Sequence, residues 1–302
     1  MASHIDFPDV VVNALESRFG QLTDVKSLSG IAGSGASIIR FREKSVIVKS
    51  SPNPRERIFY EQYARRFREH GVNIAETYWS GQDSCNMNWI AIEAIPHVFP
   101  QEQWINNSTQ LRILFNLHSC SWGSPLLDEE DIWYRPKWDD EVTQLAHTWY
   151  KGTARSQEVR SLLLNAQQQC QRLFVPHCSL SGDPNPTNWR VREDGSLVLI
   201  DWERFCCGSP AIDLAITMPN LGSKDLSLET LIARSYIGLW QEAHNDVLSS
   251  ENDLAFLIHL GKIWTVVEFI ANAVREPENY PKATVEYIVS ELPDALNNIK
   301  QQ

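Results

Sequence analysis

Residues 181–216 read SGDPNPTNWRVREDGSLVLIDWERFCCGSPAIDLAI. The stretch opens on a loop rich in Gly, Pro and Asn, residues that interrupt both helices and central strands. Two short strands follow around the turn Glu193-Asp194-Gly195. The second, Leu197-Val198-Leu199-Ile200, is apolar throughout, so burial fixes it and Asp201 emerges at its tip. Asp183 and Asn188 mark the two ends of the loop. Alone, either is the kind of residue that Pro-rich turns use for local side-chain hydrogen bonds. Separated from Asp201 by only one hairpin, the three polar side chains can converge, and that is far more specific.

Working outward, the hydrophobic period changes along the chain. Val11, Val12, Leu15 and Phe19 recur at helical spacing, with Gly20 a plausible C-cap. VKSLSG (25–30), ASIIRFRE (36–43) and SVIVKS (45–50) read as Val- and Ile-rich strands. Pro54 opens a helix over 54–70 that Gly71 closes. VNIAETYWS (72–80) and WIAIEAI (89–95) are two more strands. After Pro96 the pattern is mostly helical: 108–122 with Ser108 as candidate N-cap, then 138–153, 155–173, 226–246, 252–274 and 283–299. No internal repeat occurs. A β-rich first third and a helical remainder predict an α+β chain of two lobes, a β-rich lobe over 1–95 and a helical lobe over 96–302.

Phosphoryl transfer asks a protein for positioned groups rather than covalent chemistry: a base for the acceptor's proton and cations for the phosphates. Asp183 suits the base. Asn188 and Asp201 offer oxygen to magnesium, a hard cation. Lys49 lies on an apolar strand, where it could meet ATP phosphates, and a buried lysine needs a carboxylate partner. The helix over 54–70 offers Glu56 and Glu61, and a solvated helix face is the commoner place for Glu61. Upstream, Gly33, Ser34 and Gly35 form a small-residue turn whose backbone N–H groups could approach phosphates, although a plain hairpin turn has the same composition.

Residues 181–216 resemble the core signature of the aminoglycoside phosphotransferase and choline kinase-like family. That signature is His-Gly-Asp with Asn five residues on, a strand ending Ile-Asp-Trp/Phe-Glu, then Gly-x-Pro-x-x-Asp-Leu-Ala. Here it is Ser181-Gly182-Asp183 to Asn188, Ile200-Asp201-Trp202-Glu203, and Gly208 to Ala215. The resemblance implies a bilobal protein-kinase-like fold, ATP and Mg2+ as cofactors, Asp183 as catalytic base and Asn188 and Asp201 as magnesium ligands. It also implies that Asp213 anchors the catalytic loop. Glu56, in the family's Glu-x-x-Phe-Tyr form, would partner Lys49. Adenine would pair with backbone near Ile92 and Ala94, in a strand resembling the connector between kinase lobes. Leu117-His118 also resembles a family pattern, with His118 a packing residue. One position departs: Ser181 replaces the family's histidine, and His177, four residues upstream, is a candidate substitute.

The implied activity is ATP- and magnesium-dependent phosphorylation of a hydroxyl on a small molecule. An aminoglycoside or other hydroxylated antibiotic is the first candidate acceptor, and a choline-, amino-sugar- or sugar-like metabolite the second. A catalytically weak kinase-like binding protein is the alternative from another class, supported only by Ser181. A protein kinase is disfavoured, because Trp-Glu follows Asp201 where that family has Phe-Gly.

The totals agree. The 302 residues are 43% hydrophobic and carry a formal net charge of -11. That charge disfavours nucleic acid as a partner and suits a cationic small molecule. No run of about 18 apolar residues predicts a membrane partner. The N-terminus lacks a basic start followed by an apolar run, so a cytoplasmic location is expected. Six cysteines without Cys-x-x-Cys spacing read as free thiols, with Cys206 and Cys207 filling core. A monomer and a homodimer are equally compatible with the sequence. For the acceptor, the acidic run 128–131, Asp139-Asp140 and Glu268 are candidates. Trp133, Trp138 and Trp264 could stack on it, though core packing is the commoner fate of tryptophan.

Overall fold

The computed structural model describes residues 7–28, 35–127, 132–219, 221, 226–244 and 248–299. The chain divides into two compact units, Met1–Val98 with Trp189–Glu203, and Phe99–Asn188 with Arg204–Gln302. The division expected at 95/96 falls at 98/99 and differs in a second respect. It left the 189–203 hairpin with the helices, whereas the chain returns to the first unit to form it.

In the first unit, β1 (Leu22–Leu28), β2 (Gly35–Phe41), β3 (Ser45–Ser51), β4 (Thr77–Gln82) and β5 (Asn88–Glu93) form an antiparallel sheet in the order β1-β2-β3-β5-β4. Ile39, Phe41, Val46, Val48, Trp89 and Ala91 bury one face against Val11 and Leu15 of α1 (Asp9–Phe19). Strand alternation sends Lys49 to the face opposite Val46 and Val48. The helix expected over 54–70 is interrupted: α2 (Arg55–Ile58) and α3 (Ala64–Glu69) are joined by a π-helical turn, Phe59–Tyr63. The wider turn lets the adjacent Phe59 and Tyr60 both be buried.

The hairpin belongs to this unit because its backbone is satisfied there. β6 (His97–Val98), β8 (Trp189–Val191) and β9 (Leu197–Leu199) make a small antiparallel sheet in the order β6-β8-β9. The Leu199 N–H donates to the Asn73 carbonyl at 3.1 Å, and the Asn73 amide donates to the Leu197 carbonyl at 2.9 Å. Arg192 adds a bidentate pair with Glu93, at 2.7 and 2.8 Å.

The second unit contains α4 (Ser108–Ser119), α5 (Asp140–Thr148), α6 (Ser156–Cys170), β7 (Cys178–Leu180), β10 (Cys206–Gly208), α7 (Pro210–Ile216), α8 (Ser227–His244), α9 (Glu251–Arg275) and α10 (Lys282–Ile299). Asn107 caps α4, not Ser108: its side-chain oxygen accepts from Gln110 N–H at 3.0 Å. α9 is the hub, with α5, α6, α7, α8 and α10 packed on it. It is long and apolar enough to cross a membrane, yet 72% of its most apolar stretch is buried inside this unit. At Gly261 a Cβ would stand 2.9 Å from Ala215 Cβ and 3.0 Å from the Ala211 carbonyl, so the glycine is what lets α7 lie this close. β7 and β10 pair antiparallel, Leu180 opposite Cys206. Three-residue strands show no usable period, so the sequence gives no sign of this ribbon.

Candidate active site

In the first unit, Lys49 Nζ lies 2.6 Å from Glu56 Oε2 and 3.0 Å from Asp201 Oδ1. Glu61 is not involved and pairs with Arg57 at 2.6 Å. Asp201 holds a left-handed backbone conformation, φ 64°, which costs a non-glycine residue about 1–3 kcal/mol and persists only where its surroundings enforce it. Here both flanks are pinned. Leu197, Val198 and Leu199 are buried, and the Trp202 ring stacks on Phe59 with centroids 4.1 Å apart and planes 9° apart.

Glu203 completes the group. Carboxylate oxygens of Glu56, Asp201 and Glu203 lie within 4.8 Å of one another. Burial pushes the Glu56 carboxyl up to about 7; Lys49 pulls it back, while Asp201 and Glu203 add to the rise. Burial works against the Lys49 charge too, but Glu56 and Asp201 outweigh it and raise its pKa. Three carboxylates therefore face one ammonium, and Glu56 Oε1 is buried without a hydrogen-bond partner. This surplus of hard oxygen donors fits a divalent cation such as magnesium. Sequence reasoning missed Glu203 as a site residue, although it stands only two positions past Asp201.

Of the phosphate-turn candidates, Gly33 and Ser34 lie outside the described residues. Gly35 begins β2 opposite Ser50. Ile92 sits inside β5, paired with Ile47 on one side and Thr77 on the other, whereas Ala94 follows the end of that strand.

In the second unit, the Asn188 amide nitrogen donates to the Asp183 carbonyl at 3.0 Å and to Asp183 Oδ2 at 3.2 Å. A strap from α7 holds the loop. The two carboxylate oxygens of Asp213, fully buried, accept from Ser181 N–H and Gly182 N–H, each at 2.9 Å. His118 reaches the same carboxylate at 3.1 Å and the Tyr236 hydroxyl at 2.8 Å. Gly182 has φ 78°, and a Cβ there would stand 2.0 Å from the Arg204 carbonyl, so only glycine fits. The strap uses the Ser181 backbone; its hydroxyl is buried with no partner. His177 does not substitute: it is exposed and stacks on Trp122 with ring centroids 5.5 Å apart.

Asp183 also lines a cavity of about 530 Å³ within this unit, together with Arg204, Lys262 and Glu268 and the rings of Trp104, Phe269 and Tyr287. Glu268, expected as an acceptor contact, is paired with Arg204 and receives the Tyr134 hydroxyl. Trp133, Trp138 and Trp264 are core residues, 4%, 2% and 0% exposed. Asp139 caps α5 and Asp140 accepts from Gln167, while residues 128–131 lie outside the described residues. Lys262 was not anticipated. Its only sequence signal is a lone lysine in the apolar run of α9, and it is 7% exposed.

Burial lowers the Lys262 pKa to about 8, against upward pulls from Glu229 and Asp183. Below that value the ammonium is charged in both folded and unfolded chains, and its burial penalty is fully present. Between about 8 and the ordinary 10.5 the folded chain sheds the proton while the unfolded chain keeps it, so stability rises with pH. Thermal unfolding of the wild type against Lys262→Met should therefore show the wild type gaining, by about 3 kcal/mol at most, across that window. A difference that stays flat from pH 7 to the onset of alkaline unfolding would disprove the assignment.

The sequence profile of the phosphotransferase enzyme family matches residues 33–243. The chain belongs to this family. Among curated proteins none matches it by sequence. Solved structures of similar fold include choline kinase LicA from Streptococcus pneumoniae, at TM-score 0.61 and 16% identity over 97% of this chain and 99% of that one. A spectinomycin phosphotransferase in complex with ADP and spectinomycin aligns at TM-score 0.64 and 13% identity, over 99% and 100% of the two chains. A putative fructosamine-3-kinase from Haemophilus somnus 129PT aligns at 0.59 and 14%, over 96% of each. The chain thus has the kinase-like α+β fold, with a β-sheet N-terminal region and a helical C-terminal region.

Proposed function

We propose that the chain is an ATP- and magnesium-dependent kinase that phosphorylates a hydroxyl of a small molecule. The observation that carries this reading is Lys49, its ammonium fixed 2.6 Å from Glu56 and 3.0 Å from Asp201. A lysine so held is a preorganised positive point for phosphate oxygens, and it needs no rearrangement as charge develops. Magnesium, when bound, would neutralise phosphate charge. Asp201 with Glu56 and Glu203 offers oxygens for it, and Asn188 spends its nitrogen on Asp183, which leaves its oxygen for a cation. Ala94, beyond the paired part of β5, is better placed than Ile92 to offer backbone to adenine.

Asp183 is the proposed base. It lines the cavity of the second unit, and Asn188 fixes the direction of its carboxylate. The ADP in the spectinomycin phosphotransferase structure supports a nucleotide donor. The alternative of a weak binding protein rested on Ser181. The strap beside that residue runs through backbone N–H groups, which serine supplies as well as histidine does.

Calorimetry with ATP, with and without magnesium, tests the reading. The wild type should bind ATP more tightly with magnesium. Asp201→Ala should lose that gain by at least roughly 10–100-fold, the loss seen when even the supporting partner of a metal ligand is removed. Equal magnesium dependence in the variant, or no ATP binding by the wild type, would sink it.

A further inference from the structure

The charges lining the cavity differ in kind from those of the chain as a whole. The chain is at -11, yet the charged side chains on the cavity wall, among the described residues, are Asp183, Glu268, Arg204 and Lys262. Arg204 and Glu268 neutralise one another. That leaves one carboxylate, the proposed base, and one ammonium. A polycationic acceptor needs several carboxylates, and among the described residues the wall offers only Asp183 beyond the Arg204–Glu268 pair. A lone quaternary ammonium could use the aromatic wall, but Lys262 repels it at close range.

Lys262 itself is under-used. Its Nζ donates to the Met218 carbonyl, and Glu229 and Asp183 act on it electrostatically without forming an ion pair. An ammonium has three protons to donate, and a buried one is costly until paired.

Building on the kinase reading, we propose that the acceptor is a hydroxy-carboxylate with an apolar or aromatic body. Its carboxylate pairs with Lys262, its body lies against Trp104, Phe269 and Tyr287, and its hydroxyl faces Asp183. The reaction stays balanced: the hydroxyl oxygen bonds to the transferred phosphorus, the bond from that phosphorus to the nucleoside diphosphate breaks, and the hydroxyl proton passes to Asp183. The carboxylate is untouched and serves only for recognition.

Three probes share a benzyl group and an aliphatic hydroxyl and differ in charge: 3-phenyllactate, 3-phenylpropane-1,2-diol and phenylalaninol. Their affinities for the full chain are measured by ligand-observed NMR, and ATP–magnesium binding by calorimetry on the same samples. Phenyllactate should bind roughly tenfold tighter than phenylalaninol, the worth of a hydrogen bond to a charged group, with the diol between them. Lys262→Met should level the three, and Lys262→Arg should keep their order. The proposal is overturned if phenylalaninol binds as well as phenyllactate, if none of the three binds, or if Lys262→Met keeps the preference. The wild-type ranking decides even if the methionine variant does not fold. Intact ATP–magnesium binding with the wrong ranking defeats this proposal alone; absent ATP–magnesium binding defeats the kinase reading beneath it.

Discussion

Asp183→Asn should lower kcat by roughly 10²–10⁴-fold, the usual worth of a positioned general base. The substitution is nearly isosteric. The bond from Asn188 to the Asp183 carbonyl survives, and so does the strap, which is made by the backbone N–H groups of Ser181 and Gly182. What is lost is the capacity to accept the acceptor's proton. ATP–magnesium affinity should stay within about twofold, because the Lys49–Glu56–Asp201 group is unchanged and Asn188 keeps its bond to the backbone carbonyl of residue 183. Single-turnover phosphorylation paired with calorimetry reads both quantities. A variant that turns over at the wild-type rate would remove Asp183 from the role of base.

The second large effect is on stability. Asp213→Ala should destabilise the chain by about 3–5 kcal/mol, the cost of removing one member of a buried charged network. It strands the Ser181 and Gly182 N–H groups and His118, all of which depend on that carboxylate. Thermal unfolding should fall by roughly 10 °C. Ser181→Ala is the informative control. It deletes a buried hydroxyl that has no partner, so stability should hold or rise slightly, and the strap should persist. A large loss in Ser181→Ala together with a small one in Asp213→Ala would mean that the loop is held by something other than Asp213.

Much of the first unit is legible in its residue pattern. The period-2 alternation of residues 45–50 separates Val46 and Val48 from Lys49, and that alternation is what turns Lys49 away from the core. The choice of Glu56 over Glu61 is legible too, through the resemblance of Glu56-Arg57-Ile58-Phe59-Tyr60 to the family's Glu-x-x-Phe-Tyr form. In the loop 181–188, Gly182 and Asp183 can be read because local backbone geometry restricts what fits there. The π turn cannot, because a helix with one extra residue per turn leaves the same amphipathic trace to within a residue or two. Trp133, Trp138 and Trp264 take the core places that are commoner for tryptophan, but composition says only that large rings are present, and packing says which rings line a cavity.

The amino-acid sequence by itself determined the family and the β-then-α order of the chain, and it singled out Lys49, Glu56, Asp183, Asn188 and Asp201 as candidates. Each is marked by its neighbours within a few positions: Lys49 by strand period, Glu56 by the Glu-x-x-Phe-Tyr form that resembles the family's, and the other three by the signature they share. Only the tertiary structure decided that the 189–203 hairpin joins the first unit, that Glu203 shares a corner with Glu56 and Asp201, and that Lys262 lines the same cavity as Asp183. Those outcomes depend on which surfaces meet between segments far apart along the chain. Hydrophobic periodicity tells which face of α9 is buried, but not what that face is buried against. The charge of this cavity is therefore a property of packing: among the described residues, an acidic chain folds so that two cations, Arg204 and Lys262, line the same cavity as Glu268 and Asp183.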